Sequence, residues 1–181
     1  MLTLLHCSDP ASPGVFTEHF AIYLLSDPSI TTSEAMQMSL SALPLRNEPW
    51  LSIDDIEKYQ IPSHTIYLDS SFAALFQDDT TALFRTDIEM PFVVIGCDAR
   101  VYIGTFHHVN SQLKALVPSI WGRGSNTWYP ERLKLRIFPP SKSVSQNYID
   151  KRGDGRILHG LKLRNKLYQV DDSGNETNVV Y

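Results

Sequence analysis

Apolar residues along the chain arrive in short bursts divided by turn-forming residues. Phe20 to Leu25 is a continuous β-branched and aromatic run stopped by Ser26-Asp27-Pro28, which predicts a strand. Thr31 or Thr32 can cap a short helix carried by Ala35, Met36, Met38 and Leu40, up to the break at Leu43-Pro44. Ser52 can cap a helical turn over Ile53 to Glu57, with Asp54 and Asp55 where the helix dipole favours acids. His64 to Leu68 predicts a second strand, and Asp69-Ser70-Ser71 a cap for a helix through Phe72 to Phe76. Gln77 to Glu89 is acidic and loop-like.

The strongest local pattern follows. Phe92 to Ile95 and Arg100 to Phe106 flank Gly96-Cys97-Asp98-Ala99, which has the length and composition of a hairpin turn. After Pro118 and the turn Gly122-Arg123-Gly124-Ser125-Asn126, residues Arg132 to Phe138 alternate strictly. That places Leu133, Leu135 and Ile137 inward and Arg132, Lys134 and Arg136 outward. Pro139-Pro140 ends the run. Ile157 to Leu167 fits an amphipathic helix or a strand, and a polar tail closes the chain.

No stretch approaches 18 consecutive apolar residues, so no transmembrane helix is predicted. At 181 residues and 43% hydrophobic, the chain can bury a core of its own. No internal repeat or flexible linker divides it. The expectation is one α+β domain over 18–170, mostly antiparallel sheet with a few short helices, between an N-terminal segment 1–17 and a polar tail 171–181. Two cysteines, Cys7 and Cys97, allow one bridge at most and leave the redox compartment open. Met1 to Cys7 is similar to the tail of a lipoprotein signal, but it lacks a basic start and has His6 where a small residue is expected. An ordinary first strand is the alternative.

Charge is unevenly placed. Residues 1–90 hold 3 Lys/Arg against 13 Asp/Glu, or −10, and residues 91–181 hold 13 against 7, or +6, which together give the net −4. Residues 121–168 hold 11 basic residues against Glu131, Asp150 and Asp154, or +8. Trp121, Trp128, Tyr129, Phe138, Tyr148 and Tyr168 are interleaved with them. Cations mixed with flat rings suit a polyanion or nucleic acid. The competing reading is that the basic half packs against the acidic half.

Catalytic and metal chemistry find little support. His107-His108 are neighbours that point to opposite faces of a strand, and no HExxH or CxxC spacing supplies convergent metal ligands. They are expected to be surface or rim histidines. Cys97, Asp98 and a histidine have the residue types of a nucleophile, acid and base, yet a hairpin turn beside an acid disfavours thiolate. Asp150 to Gly155 imitates the start of a calcium loop, but Arg152 and Leu161 stand where oxygen ligands are needed. A salt-bridged turn of Asp150, Arg152, Asp154 and Arg156 is expected there. No catalytic residue, metal or cofactor is assigned.

Phe20-Ala21-Ile22-Tyr23-Leu24, Asp54-Asp55-Ile56 with Tyr59, His64-Thr65-Ile66 with Leu68, Pro91 to Val94, Val101 to Phe106 and Pro118 together resemble an uncharacterised bacterial domain family often found on secreted proteins or lipoproteins. The resemblance covers most of residues 18–165. It implies an extracytoplasmic or lipid-anchored, non-enzymatic module and transfers no site residue.

Two readings follow. One is a non-catalytic binding or interaction module, extracytoplasmic, meeting a protein or small ligand through Trp121, Arg123, Trp128, Tyr129 and the row Arg132, Lys134, Arg136. The alternative is polyanion or nucleic-acid binding through the basic, aromatic-rich segment 121–168.

Overall fold

A two-residue turn organises the centre of the fold. In a computed structural model, which describes residues 19–72, 83–85, 87–122, 134–141, 149–170 and 175–179, strands β5 (Met90–Gly96) and β6 (Ala99–His108) pair from Gly96↔Ala99 outward. Only Cys97 and Asp98 remain between them, with φ of 43° and 62°. Both central residues are left-handed, the type I′ geometry whose twist matches that of the flanking strands.

The other strands are β1 (Phe20–Leu24), β2 (Leu51–Ser52), β3 (Ile56–Gln60), β4 (Thr65–Leu68), β7 (Ser119–Gly122), β8 (Lys134–Phe138), β9 (Leu167–Val170) and β10 (Glu176–Asn178). They form one sheet in the order β10-β9-β3-β4-β8-β7-β6-β5-β1-β2. Pairing is antiparallel except at β3–β9 and β6–β7. The chain is thus a single sheet-rich domain with few and short helices, α1 (Thr32–Gln37) and α2 (Gly155–Leu163) being the α-helical ones described in full.

The sheet curls on itself. β3 and β1 stand six strands apart in the order, about 29 Å on a flat sheet at ~4.8 Å per step, yet the rings of Phe20 and Tyr59 meet at 6.2 Å. A 3₁₀ turn over Ile53–Asp55 carries β2, at one edge, directly into β3, near the other. The inner faces therefore share one core, from Phe20, Ile22 and Phe92 to Ile66, Leu135 and Leu167.

Burial records which strands are covered on both faces. β1 is buried at all five positions, because α1 and the following segment press Ala35 and Leu43 onto Ala21, Tyr23, Val93 and Ile95 from outside. β8 alternates exposed and buried, since nothing described lies over its outer side. Such contrast is expected between doubly and singly covered strands.

Capping explains several boundaries. Of the two caps the sequence offers, Thr31 serves, and with Glu34 it forms the capping box of α1. Ser52 and Asp55 form a second box, but Ile56 turns extended at once, so the predicted helical turn is a single 3₁₀ turn followed by β3. Residues 70–72 begin the helix expected after Asp69, and its remainder lies outside the described residues. The ambiguous stretch from Ile157 resolves into both elements: α2 ends where Asn165 takes φ 54°, with Asn165 N–H on Lys162 O and Lys166 N–H on Leu161 O. That left-handed stop releases β9. Polar residues 176–178 then pair with β9 as β10.

Helix α2 closes one end of the curled sheet with Ile157 and Leu161. Its Gly160 lies so near β1 that a Cβ there would fall 1.9 Å from the His19 carbonyl oxygen. Helix propensity favours Ala over Gly by about 1 kcal/mol, while forcing volume into a packed site costs about 1–3 kcal/mol. Backbone cannot step aside as a side chain can, so sterics win. Gly160→Ala is expected to lower the urea midpoint, and a raised midpoint would show that α2 docks more loosely.

Candidate functional site

The outer side of β3, β4, β8 and β7 gathers the cation-and-ring chemistry. Register places Lys58 and Lys134 on either side of Tyr67, through Lys58↔Tyr67 and Tyr67↔Lys134. Their ammonium groups lie 4.4 and 4.6 Å from the Tyr67 ring centre. Two residues along β8, the Arg136 guanidinium lies 5.0 Å from the Phe138 ring. Strand alternation puts Lys134 and Arg136 on the same face, about 6.6 Å apart along the strand. Each cation thus rests on a ring, an attraction worth about 0.5–1 kcal/mol at an exposed site.

Trp121 continues this surface. It stands at 40% exposure, the one exposed large aromatic among the described residues. Extending the β7–β8 register beyond Ile120↔Ile137 by one residue sets it across from Arg136. Its ring meets Phe138 at 5.6 Å on one side and His107 at 4.6 Å on the other. Its indole N–H is spent on Ser119 Oγ at 2.7 Å.

His107 is itself held. It is 2% exposed, and its Nδ1 lies 2.6 Å from Glu89 Oε1. A carboxylate only accepts, so Nδ1 donates and the ring orientation is set. The expectation of a surface or rim histidine fails here, because α1 and the irregular segment leading into β5 cover the outer side of β6: Thr32 Oγ1 lies 3.0 Å from Glu89 O and 2.9 Å from Thr105 Oγ1. His108 is half-buried and accepts the Asn110 N–H. A cleft of about 550 Å³ opens beside Glu89, between Thr31, Ser33, Gln112 and Leu116.

Ion pairs decide how much of the basic segment is neutralised. Arg152 and Arg156 are matched by Asp150 at 2.6 Å and Asp154 at 2.9 Å, the expected salt-bridged turn. Arg152 holds the Asp150 carboxyl below its usual range, and Arg156 does the same to Asp154. Lys58 meets Glu176, which raises its pKa, and Arg164 meets Asp54. Of these, only Arg164–Asp54 joins the basic segment to the acidic half. Lys134 and Arg136 are exposed and reach no carboxylate among the described residues. Among the described residues, packing of the basic half on the acidic half therefore leaves Lys134 and Arg136 without a counter-charge.

A second polar cluster sits at the β3–β4 turn. The buried Tyr59 hydroxyl is hydrogen-bonded to His64 Nδ1 at 2.9 Å. Burial raises the phenol's pKa, while burial and the Arg152 charge lower that of His64. His64 has φ 49°, and Arg136 Nε donates to the neighbouring Ser63 O at 3.2 Å. The cluster fixes the turn that supports Arg136.

Of the residues singled out by sequence, Trp121, Lys134 and Arg136 lie together on this face. Arg123, Trp128, Tyr129 and Arg132 lie outside the described residues. Lys58, Tyr67, His107 and Glu89 were not predicted as part of it. Cys97 is disulfide-bonded and so offers no thiolate. No group of three or more His, Cys, Asp or Glu side chains is placed to hold a metal among the described residues. None of their helices is long and apolar enough to cross a membrane. No family model, no curated protein and no solved structure matches the chain.

Proposed function

We propose that the protein is an extracytoplasmic binding module whose contact surface is the outer face of β8 with Trp121, and that its partner carries anionic groups. One observation carries this reading: Lys134 and Arg136 project from a sheet face without carboxylate partners among the described residues, each resting on a ring. An exposed cation without a counter-charge can neutralise a polyanion's charge and displace the counterions condensed on it, and that release drives binding. The disulfide at Cys97 supports an oxidising compartment, the one implied by the family resemblance.

Fluorescence anisotropy of a labelled oligonucleotide, with heparin as a second polyanion, tests this across a salt series. Roughly micromolar binding at low salt that collapses as salt rises is expected. Replacing both Lys134 and Arg136 by Glu should weaken binding about tenfold or more, and reduce the log–log salt slope by roughly two. Both side chains are exposed, so the thermal midpoint should fall by no more than the few degrees that two lost cation–ring contacts cost. No binding to either probe at low salt overturns the reading.

A further inference from the structure

We infer that the partner is an acidic polysaccharide, with a sugar ring laid on Trp121 and its carboxylate or sulfate held by Arg136. This rests on the reading of the β8 face as an anion site, and two independent observations narrow the anion.

The first is the inventory of free rings. A single-stranded nucleic acid gains affinity by stacking successive bases on successive aromatic platforms. Here the Tyr67 ring is flanked by Lys58 and Lys134, and Phe138 carries Arg136. Tyr168 is half-buried with Lys58 5.8 Å from its ring, so among the described residues of this face Trp121 is the exposed platform, set among cations. A sugar chain needs no more than that: the apolar C–H side of one ring covers the indole while acid groups on it and its neighbours meet the cations.

The arrangement at Trp121 suits this task. Its N–H is satisfied by Ser119, so the ring offers an apolar surface with no donor left to satisfy. His107 and Phe138 brace it, and Glu89 braces His107, so little side-chain freedom is lost on binding. Arg136 lies across from it with its Nε on Ser63 O, and its terminal nitrogens make no hydrogen bond among the described residues. That leaves the paired geometry a carboxylate or sulfate accepts.

The second observation is the disulfide-bonded Cys97. Disulfides persist outside the reducing cytosol, where acidic glycans are the abundant polyanions and nucleic acids are scarce.

The test compares a heparin octasaccharide with an oligothymidylate of matched charge, using the full chain, wild type and three variants: Trp121→Ala, Trp121→Phe and the double Lys134→Glu/Arg136→Glu. Trp121→Ala is expected to weaken octasaccharide binding roughly tenfold while leaving its salt slope unchanged, because the ring contributes no charge. Trp121→Phe should recover part of the loss, and the double variant should reduce the slope. Octasaccharide affinity that ignores Trp121→Ala but falls in the double variant overturns the polysaccharide inference and leaves the anion site standing. Tighter binding of the oligothymidylate, lost with Trp121→Ala, assigns the platform to a base instead. Absence of binding by both probes removes the anion site itself.

Discussion

Replacing Phe106 by Ala is expected to cost about 3–5 kcal/mol of stability. Phe106 is fully buried on β6 and gathers three other rings: Trp50 at 4.7 Å, Phe92 at 4.9 Å and Phe84 at 5.4 Å. Those rings come from widely separated parts of the chain, so deletion loosens several connections at once. The walls also resist collapse. Phe92 is pressed against Gly104, where even a Cβ would come within 2.2 Å of its ring. A site that cannot close retains its cavity and pays the cavity term in addition to the transfer term. Urea unfolding should show a lower midpoint at constant slope, with Phe106→Leu losing much less. A loss under about 1 kcal/mol for Phe106→Ala would mean that the neighbouring rings refill the space.

What could be read along the chain was what is decided within a few residues. The β5–β6 hairpin, the Thr31 cap and the alternation of β8 are local, since turn chemistry, a side chain three residues from its backbone target and a period of two need no distant partner. The helical turn expected over Ile53 to Glu57 stops at Asp55: Ser52 and Asp55 do make a capping box, and pairing with β4 and β9 draws Ile56 and Glu57 into β3. β7 is four residues long and lies parallel to β6, so nothing beside it in sequence announces its partner. Asn165 was the one local sign that the stretch from Ile157 holds two elements: it is a residue that tolerates the left-handed stop.

The site divides in the same way. Lys134 and Arg136 were visible as the outward half of an alternating strand. Lys58 and Tyr67 were hidden, since Lys58 lies in the acidic half and joins Lys134 only through the β3-β4-β8 register. His107 and Glu89 are eighteen residues apart and meet because the β5–β6 register, extended one pair beyond Met90↔Phe106, sets them opposite each other. The hairpin turn points to that meeting, and what it leaves open is the irregularity between Val94 and Ile95 that shifts the register by one residue.

Loss of the disulfide at Cys97 is expected to be about as damaging as loss of Phe106, and it bears on function as well as stability. Cys97 is bonded, and Cys7, ninety positions away, is the only other cysteine of the chain. A bridge that closes a loop of about ninety residues removes enough unfolded-state entropy to stabilise by roughly 4–5 kcal/mol in the chain-entropy account. Cys97→Asn isolates this effect, because Asn accepts the left-handed geometry of the turn and the hairpin should survive. The variant should unfold at a clearly lower urea concentration than the oxidised wild type, and at about the same concentration as the wild type under reductant. Alkylation before reduction should find no free thiol in the oxidised protein. A cysteine in a disulfide has no sulfur left for a lipid, so the same mass measurement separates a bridge from a lipid-anchored Cys7. Two free thiols, or a wild type whose midpoint ignores reductant, would remove the argument for an oxidising compartment.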